Sequence, residues 1–108
     1  MTAMAWVILV AAGLLEIVWA TALKQSDGFA RLWPSLIGIG GATLSFVLLA
    51  VALRHLPAGT GYAVWVGIGA VGVAIAGIVA FDEAVSPARV LFLSMIVVGI
   101  AGLRLVEG

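Results

Sequence analysis

The sequence predicts an all-helical integral membrane protein with four transmembrane helices, and three observations predict it. Of its 108 residues, 65% are hydrophobic and 9% are charged, whereas soluble domains carry about 25% charged residues. The mean hydropathy is +1.33. Four apolar runs, each near the roughly 20 residues that a helix needs to cross the hydrocarbon core, lie at about 4–23, 34–53, 58–81 and 87–105. We therefore expect a single four-helix transmembrane domain over residues 1–108.

Polar residues, glycine and proline mark the ends of these runs. The first run ends at the cluster KQSDG, residues 24–28. Pro34 and Pro87 lie at first-turn positions, where a missing N–H costs nothing, and Ser86 is placed to cap the fourth helix. So little of the chain lies outside the spans that its function must reside within the membrane. The second and third runs close at 54–57 and 82–83.

Composition excludes several classes of protein. The formal net charge is zero, so no basic surface is available for nucleic acid. The chain has no cysteine, which excludes disulfides and thiolate metal sites, and the single His55 makes no metal motif. No Lys or Arg precedes the first apolar run, which argues against a cleavable signal peptide. We expect no enzymatic activity, no metal and no other cofactor.

The basic residues give almost no signal for orientation. With four spans, Arg54 and Arg104 lie on the side of the termini. Lys24, Arg31 and Arg89 lie on the other side. Because orientation follows an excess of Lys and Arg in cytoplasmic loops, two against three favours insertion in both orientations, which permits an antiparallel homodimer. The alternative is that a short chain simply carries few charges.

Glu16 is the residue that departs most from its surroundings. It lies about a dozen residues into the first span, near the bilayer centre at 1.5 Å rise per residue. A charge there costs at least ~2.5–3.5 kcal/mol on insertion scales, and such residues usually mark a pathway or a site. All five basic residues fall in turns or near span ends, so an ionised Glu16 needs a cation from outside the protein. A proton and a small organic cation would then compete for one carboxylate, which suffices for antiport if the site opens to one side at a time.

Residues on the same helical face as Glu16, and residues in the second and third spans, together suit a compact organic cation. Gly13 and Trp19 lie three residues before and after it, on one helical face. Tyr62 and Trp65 repeat this spacing in the third span, and Ser45 lies near mid-depth in the second. Aromatic faces attract cations by about 0.5–2 kcal/mol. The alternative for tryptophans is anchoring at the membrane interface, which fits Trp6 and Trp33 near span ends.

Glycines are frequent in the last three spans, and packing is the default interpretation. Small residues let helices approach closely in lipid, where the hydrophobic effect does not drive their association. A second hypothesis concerns the stretch VGIGAVG, residues 66–72. Because glycine tolerates altered dihedral angles, Gly67 and Gly69 are predicted to form a hinge in the third span.

Together these motifs resemble the small multidrug resistance transporters over essentially the whole chain. Trp19 within EIVWA is similar to the guanidinium-exporter branch, whereas the multidrug branch typically has a small residue there. Ser45, Tyr62 and Trp65 also match positions that surround the glutamate in guanidinium exporters. The matching stretches are GLLEIVWATALK (13–24), GFARLWPS (28–35) and LPAGTGYAVWVGIGAVG (56–72).

The resemblance implies an antiparallel, dual-topology homodimer in the bacterial inner membrane, with both copies of Glu16 in one central site. Family members exchange a cytoplasmic cation for protons by alternating access. Carried over to this sequence, Glu16 binds protons and substrate, and Ser45 hydrogen-bonds the carboxylate. Gly13 leaves room beside Glu16, and the site is lined by Trp19, Tyr62 and Trp65.

The resemblance also implies that the fourth span supplies dimer contacts, at Gly99 and Gly102, while the role of Arg104 stays open. Our first hypothesis is proton-coupled export of guanidinium and small guanidinyl or quaternary ammonium cations. One alternative is a broader quaternary ammonium or multidrug exporter. The other, from a different class, is a non-transporting membrane subunit that uses Glu16 as a helix–helix contact.

Overall fold

The computed structural model describes the backbone of residues 2–107 and the side chains of residues 3–106. Within that range the chain forms four α-helices, each long and apolar enough to cross a membrane. The prediction of an all-helical chain with four long apolar helices is confirmed. The helices are α1 (Thr2–Gln25), α2 (Leu32–Ala52), α3 (Ala58–Phe81) and α4 (Pro87–Glu107).

Local chemistry fixes the turns between the helices. Ser26 accepts a hydrogen bond from the N–H of Phe29 in the α1–α2 turn, where Asp27, Gly28 and Phe29 all have positive φ. Ser86 accepts one from the N–H of Arg89, which is the N-cap geometry that the sequence predicts for α4. These contacts satisfy donors that short turns would otherwise leave unpaired.

The helices form a thin layer in the spatial order α2, α1, α3, α4. The Cα atoms extend over 42 × 34 × 16 Å, so the shortest dimension is less than half of either of the others. α1 packs on both α2 and α3, whereas α4, within the described residues, packs on α3. A layer this thin exposes two broad apolar faces, which is compatible with lipid as the surrounding solvent.

Glycines set the closest approaches between helices. A Cβ atom on Gly38 of α2 would collide with Leu23 of α1, and one on Gly67 of α3 would collide with Ile100 of α4. The default interpretation of these glycines as packing residues is therefore confirmed at these positions. The α1–α2–α3 junction is buried, with Leu9, Ser45 and Val64 almost fully inaccessible.

Candidate functional site

Glu16 lies half-buried on α1 and faces α3. Its carboxyl group occupies the space directly above Gly69, where any Cβ atom would overlap it. The sequence indicated Gly69 only as a hinge residue, yet it provides the surface against which the carboxylate rests. Among residues 3–106 the ion pair is Arg89–Glu83, at 2.8 Å, and no basic side chain pairs with Glu16.

Two basic side chains, Lys24 in the last turn of α1 and Arg104 in the last turn of α4, contact aromatic rings. The Lys24 Nζ atom lies 5.5 Å from the centre of the Phe81 ring. The Arg104 guanidinium lies 5.1 Å from the centre of the Trp6 ring. Both are cation–π distances. Among the described side chains, these two cations therefore lie against aromatic rings and not against Glu16.

Ser45 joins the three packed helices at a buried point. Its hydroxyl donates a hydrogen bond to the Ala12 carbonyl of α1, at 2.7 Å, and accepts one from the Trp65 indole of α3, at 3.0 Å. Because a hydroxyl has one proton, Ser45 does not donate to Glu16 in this structure, contrary to the role that the resemblance implied. Its effect is to fix the Trp65 ring, since an unpaired buried indole N–H costs about 1–3 kcal/mol.

A continuous row of aromatic rings runs across α1, α2 and α3. Trp19 lies 6.1 Å from Phe46, Phe46 lies 5.5 Å from Trp65, and Trp65 lies 5.6 Å from Tyr62, measured between ring centres. The tilted geometry is one that aromatic pairs favour. The structure therefore brings together the three aromatic residues predicted from the sequence. Phe46 completes the row and was missed, because nothing in its local spacing distinguishes it from other apolar residues of α2.

The Trp19 side chain of α1 packs against α2, and its indole N–H has no hydrogen-bond partner among the described residues. Its Cβ atom lies 3.0 Å from where a Cβ atom on Gly41 would stand, so Gly41 makes room for it. Its indole Nε1–H is buried and has no hydrogen-bond partner among the described residues. Such a donor is available to a ligand or to water entering beside Glu16, one helical turn away.

Among the predicted glycines, one behaves differently from expectation, and the dimer contacts and the hinge remain predictions. Gly13 is buried, and the space that its missing side chain leaves is filled by Ile68 of α3 and does not lie open beside the carboxylate. No atom of the described residues outside α4 itself lies within 4 Å of where a Cβ atom on Gly99 or Gly102 would stand, so this face of α4 is uncovered in the single chain. α3 runs through Gly67 and Gly69 without a break.

Sequence comparisons show which known proteins this chain is similar to. The sequence profile described as Small Multidrug Resistance protein matches residues 4–96. A protein named guanidinium exporter from Yersinia pseudotuberculosis serotype I is 59% identical over 102 residues, which are 94% of this chain and 98% of the relative. Proteins of the same name from Salmonella typhimurium and Citrobacter freundii are each 56% identical, over 94% of this chain and 97% of the relative.

Proposed function

Since the chain belongs to the Small Multidrug Resistance protein family, we propose that it exports guanidinium and small guanidinyl or quaternary ammonium cations in exchange for protons. It is a multi-pass protein of the bacterial inner membrane. Protons and the organic cation compete for one group, the carboxylate of Glu16. The observation that carries this proposal is a half-buried acid near mid-helix with no basic partner among the described side chains.

The chemistry of guanidinium fits a bare carboxylate. The ion is planar, permanently charged and weakly hydrated, and its parallel N–H groups pair with a carboxylate through two hydrogen bonds. When Glu16 is ionised, guanidinium supplies the missing positive charge. When Glu16 is protonated, the neutral acid needs no cation and releases it. Because one group cannot hold both ions at once, binding of one expels the other.

The aromatic row supports a compact substrate. Trp19 lies one helical turn from Glu16, and an aromatic ring face attracts a cation by about 0.5–2 kcal/mol. Trp65 is locked by Ser45, and Trp19 is wedged against Gly41. Because the Trp19 ring is fixed in place, it narrows the space beside Glu16 for a broad, flat cation. This supports guanidinium over a polyaromatic drug as the substrate.

We propose that two copies assemble as an antiparallel dimer, in which the two sites combine. A layer with a thickness of 16 Å leaves Glu16 at a surface that a second copy would cover. Gly99 and Gly102, uncovered in the single chain, would allow close approach of two α4 helices. The even distribution of basic residues between the two membrane sides permits both orientations.

Dual insertion predicts that one position is accessible from both faces of the membrane. The chain has no cysteine, so His55→Cys in the exposed α2–α3 turn gives a single reactive thiol. We expect a membrane-impermeant thiol reagent to label about half of the copies in intact inverted vesicles and the rest after permeabilisation. Labelling of every copy from one side would rule out the antiparallel dimer.

The proposed function is tested by exchange in proteoliposomes that carry a proton gradient. We expect guanidinium to exchange for protons, whereas a polyaromatic cation moves at the rate of protein-free vesicles, because Trp19 limits the width of the site. Equal transport of both cations would assign the chain to the broader multidrug class. Transport of neither cation would contradict the proposed function and favour an assembly role.

A further inference from the structure

An apolar trough lies along α1, α3 and α4 and has no part in the proposed transport site. Its volume is about 840 Å³. None of its lining residues belongs to the group formed by Glu16, Gly69 and the aromatic row. The residues that line its sides include Val10, Leu14, Val64, Ile68, Val97 and Ala101.

The trough opens on the face of the layer that the proposed dimer leaves free. At 3.6 residues per turn, Val10 and Leu14 lie on the opposite side of α1 from Trp19. On α4, Val97 likewise lies on the opposite side of the helix from Gly99 and Gly102. A second copy that covers the transport site through these glycines therefore does not cover the trough. Its surroundings are the bilayer.

One end of the trough carries the two polar side chains among its lining residues, Trp6 and Arg104, and both are hydrogen-bond donors. Trp6 lines it, is 7% exposed, and its buried Nε1–H has no hydrogen-bond partner in the described part of the chain. The guanidinium of Arg104, which also lines it, lies over the Trp6 ring. Trp6 is thus a buried wall of the trough, at the end of α1 where its position in the sequence predicts the membrane interface. An occupant of this end would supply acceptor oxygens, and preferably a negative charge.

The length of the trough matches one leaflet. Trp6 and Ile17 mark its extent along α1, and eleven residues of helix span about 16 Å. Half of a hydrocarbon core with a thickness of about 30 Å is about 15 Å. Arg104 lies in the last turn of α4, where a long basic side chain reaches the headgroup level. The donors therefore lie at headgroup level and the apolar wall at acyl-chain depth.

We propose that this trough binds an anionic phospholipid, with an acyl chain along α1, α3 and α4 and the phosphate on Arg104. Arginine pairs with phosphate through two charge-assisted hydrogen bonds, and basic pockets between transmembrane helices bind anionic headgroups. This site depends on the membrane location of the chain and not on which solute it transports.

The test measures lipid retained by the purified protein in native mass spectrometry, after extraction from vesicles of equal phosphatidylglycerol and phosphatidylcholine. We expect wild-type protein to retain phosphatidylglycerol preferentially. Arg104→Gln should lower that preference about fivefold, the effect of roughly one basic residue at an anionic surface. Ala101→Phe fills the trough from an exposed position, so retention of both lipids should fall. Arg54→Gln, an exposed arginine on the same membrane side, should change neither quantity.

Three results would overturn the proposal. The first is wild-type protein that retains both lipids equally or retains none. The second is an equal loss of preference in Arg104→Gln and Arg54→Gln, which indicates a diffuse surface effect. The third is Ala101→Phe that retains lipid as wild type does, or that changes the oligomeric state instead. Because the readout is bound lipid, a failure here leaves guanidinium exchange untouched, and a failure of exchange leaves this result valid.

Discussion

Glu16→Gln is expected to abolish proton-coupled guanidinium exchange while leaving the protein folded. Glutamine has nearly the same shape as glutamic acid, but its side-chain amide neither ionises nor takes part in acid–base exchange near neutral pH. The charge-assisted hydrogen bonds to guanidinium disappear as well, and each is worth about 1.5–3 kcal/mol. Exchange in proteoliposomes should fall to the rate of protein-free vesicles.

The matched control is Glu83→Gln. Glu83 lies in the exposed α3–α4 turn, where it pairs with Arg89, and surface pairs of this kind contribute about 0–1 kcal/mol. We expect this variant to exchange guanidinium at the wild-type rate. Normal exchange by Glu16→Gln would contradict the mechanism and support the alternative in which Glu16 is only a helix–helix contact.

Gly69→Ala is expected to lower exchange by about tenfold or more without unfolding α3. The added Cβ atom would overlap the Glu16 carboxyl, which is the end of a flexible side chain and therefore rotates away. Alanine itself favours the helix over glycine by about 0.5–1 kcal/mol. The substitution therefore displaces the Glu16 carboxylate and does not destabilise the helix. A loss of about 1.4 kcal/mol in the free energy of guanidinium binding lowers the affinity tenfold. Guanidinium affinity and exchange rate in proteoliposomes measure it.

Gly72→Ala, one turn further along α3, separates this effect from ordinary crowding. Its Cβ atom would meet the Ile17 side chain of α1, also at a flexible end, and no titratable group is displaced. We expect much smaller loss of exchange in this variant. If Gly69→Ala and Gly72→Ala behave alike, the contact with Glu16 has no special role. An equal loss in Gly67→Ala, which crowds Ile100 of α4, would favour the hinge hypothesis.

The sequence predicted the helices well because the bilayer imposes a simple length requirement. Each span must satisfy its backbone internally over about 20 residues, so hydropathy and turn residues locate it. Pro87 and Ser86 marked the start of α4 to the residue, and the structure places both as predicted. Hydropathy locates each span, but it does not show which helices pack against each other.

The candidate site was predicted only where a residue was chemically conspicuous. Glu16 and Trp19 stand out in any apolar run, whereas Phe46 and Gly69 resemble their neighbours in composition. Their roles follow from the packing of α2 and α3 against α1, which no spacing within one helix encodes. Ser45 was placed near the site correctly, yet its partners, Ala12 and Trp65, depend on the approach of three helices.

The bilayer also explains why the exposed apolar surface needs no further cover. Exposed apolar patches on a soluble monomer mark interaction sites, but in a membrane the acyl chains solvate them. The two faces of this layer differ in the polar groups that they carry. One face carries Glu16 and the aromatic row, and the other carries the trough that ends at Arg104.

The most direct test of the central claim is a count of protons released when guanidinium binds to the purified protein in weakly buffered detergent solution. If one carboxylate serves both ions, wild-type protein that starts with Glu16 protonated releases protons on binding, and its guanidinium affinity falls as the pH is lowered. Glu16→Gln releases none. Tight guanidinium binding without proton release at any pH, or undiminished release from Glu16→Gln, would contradict the account.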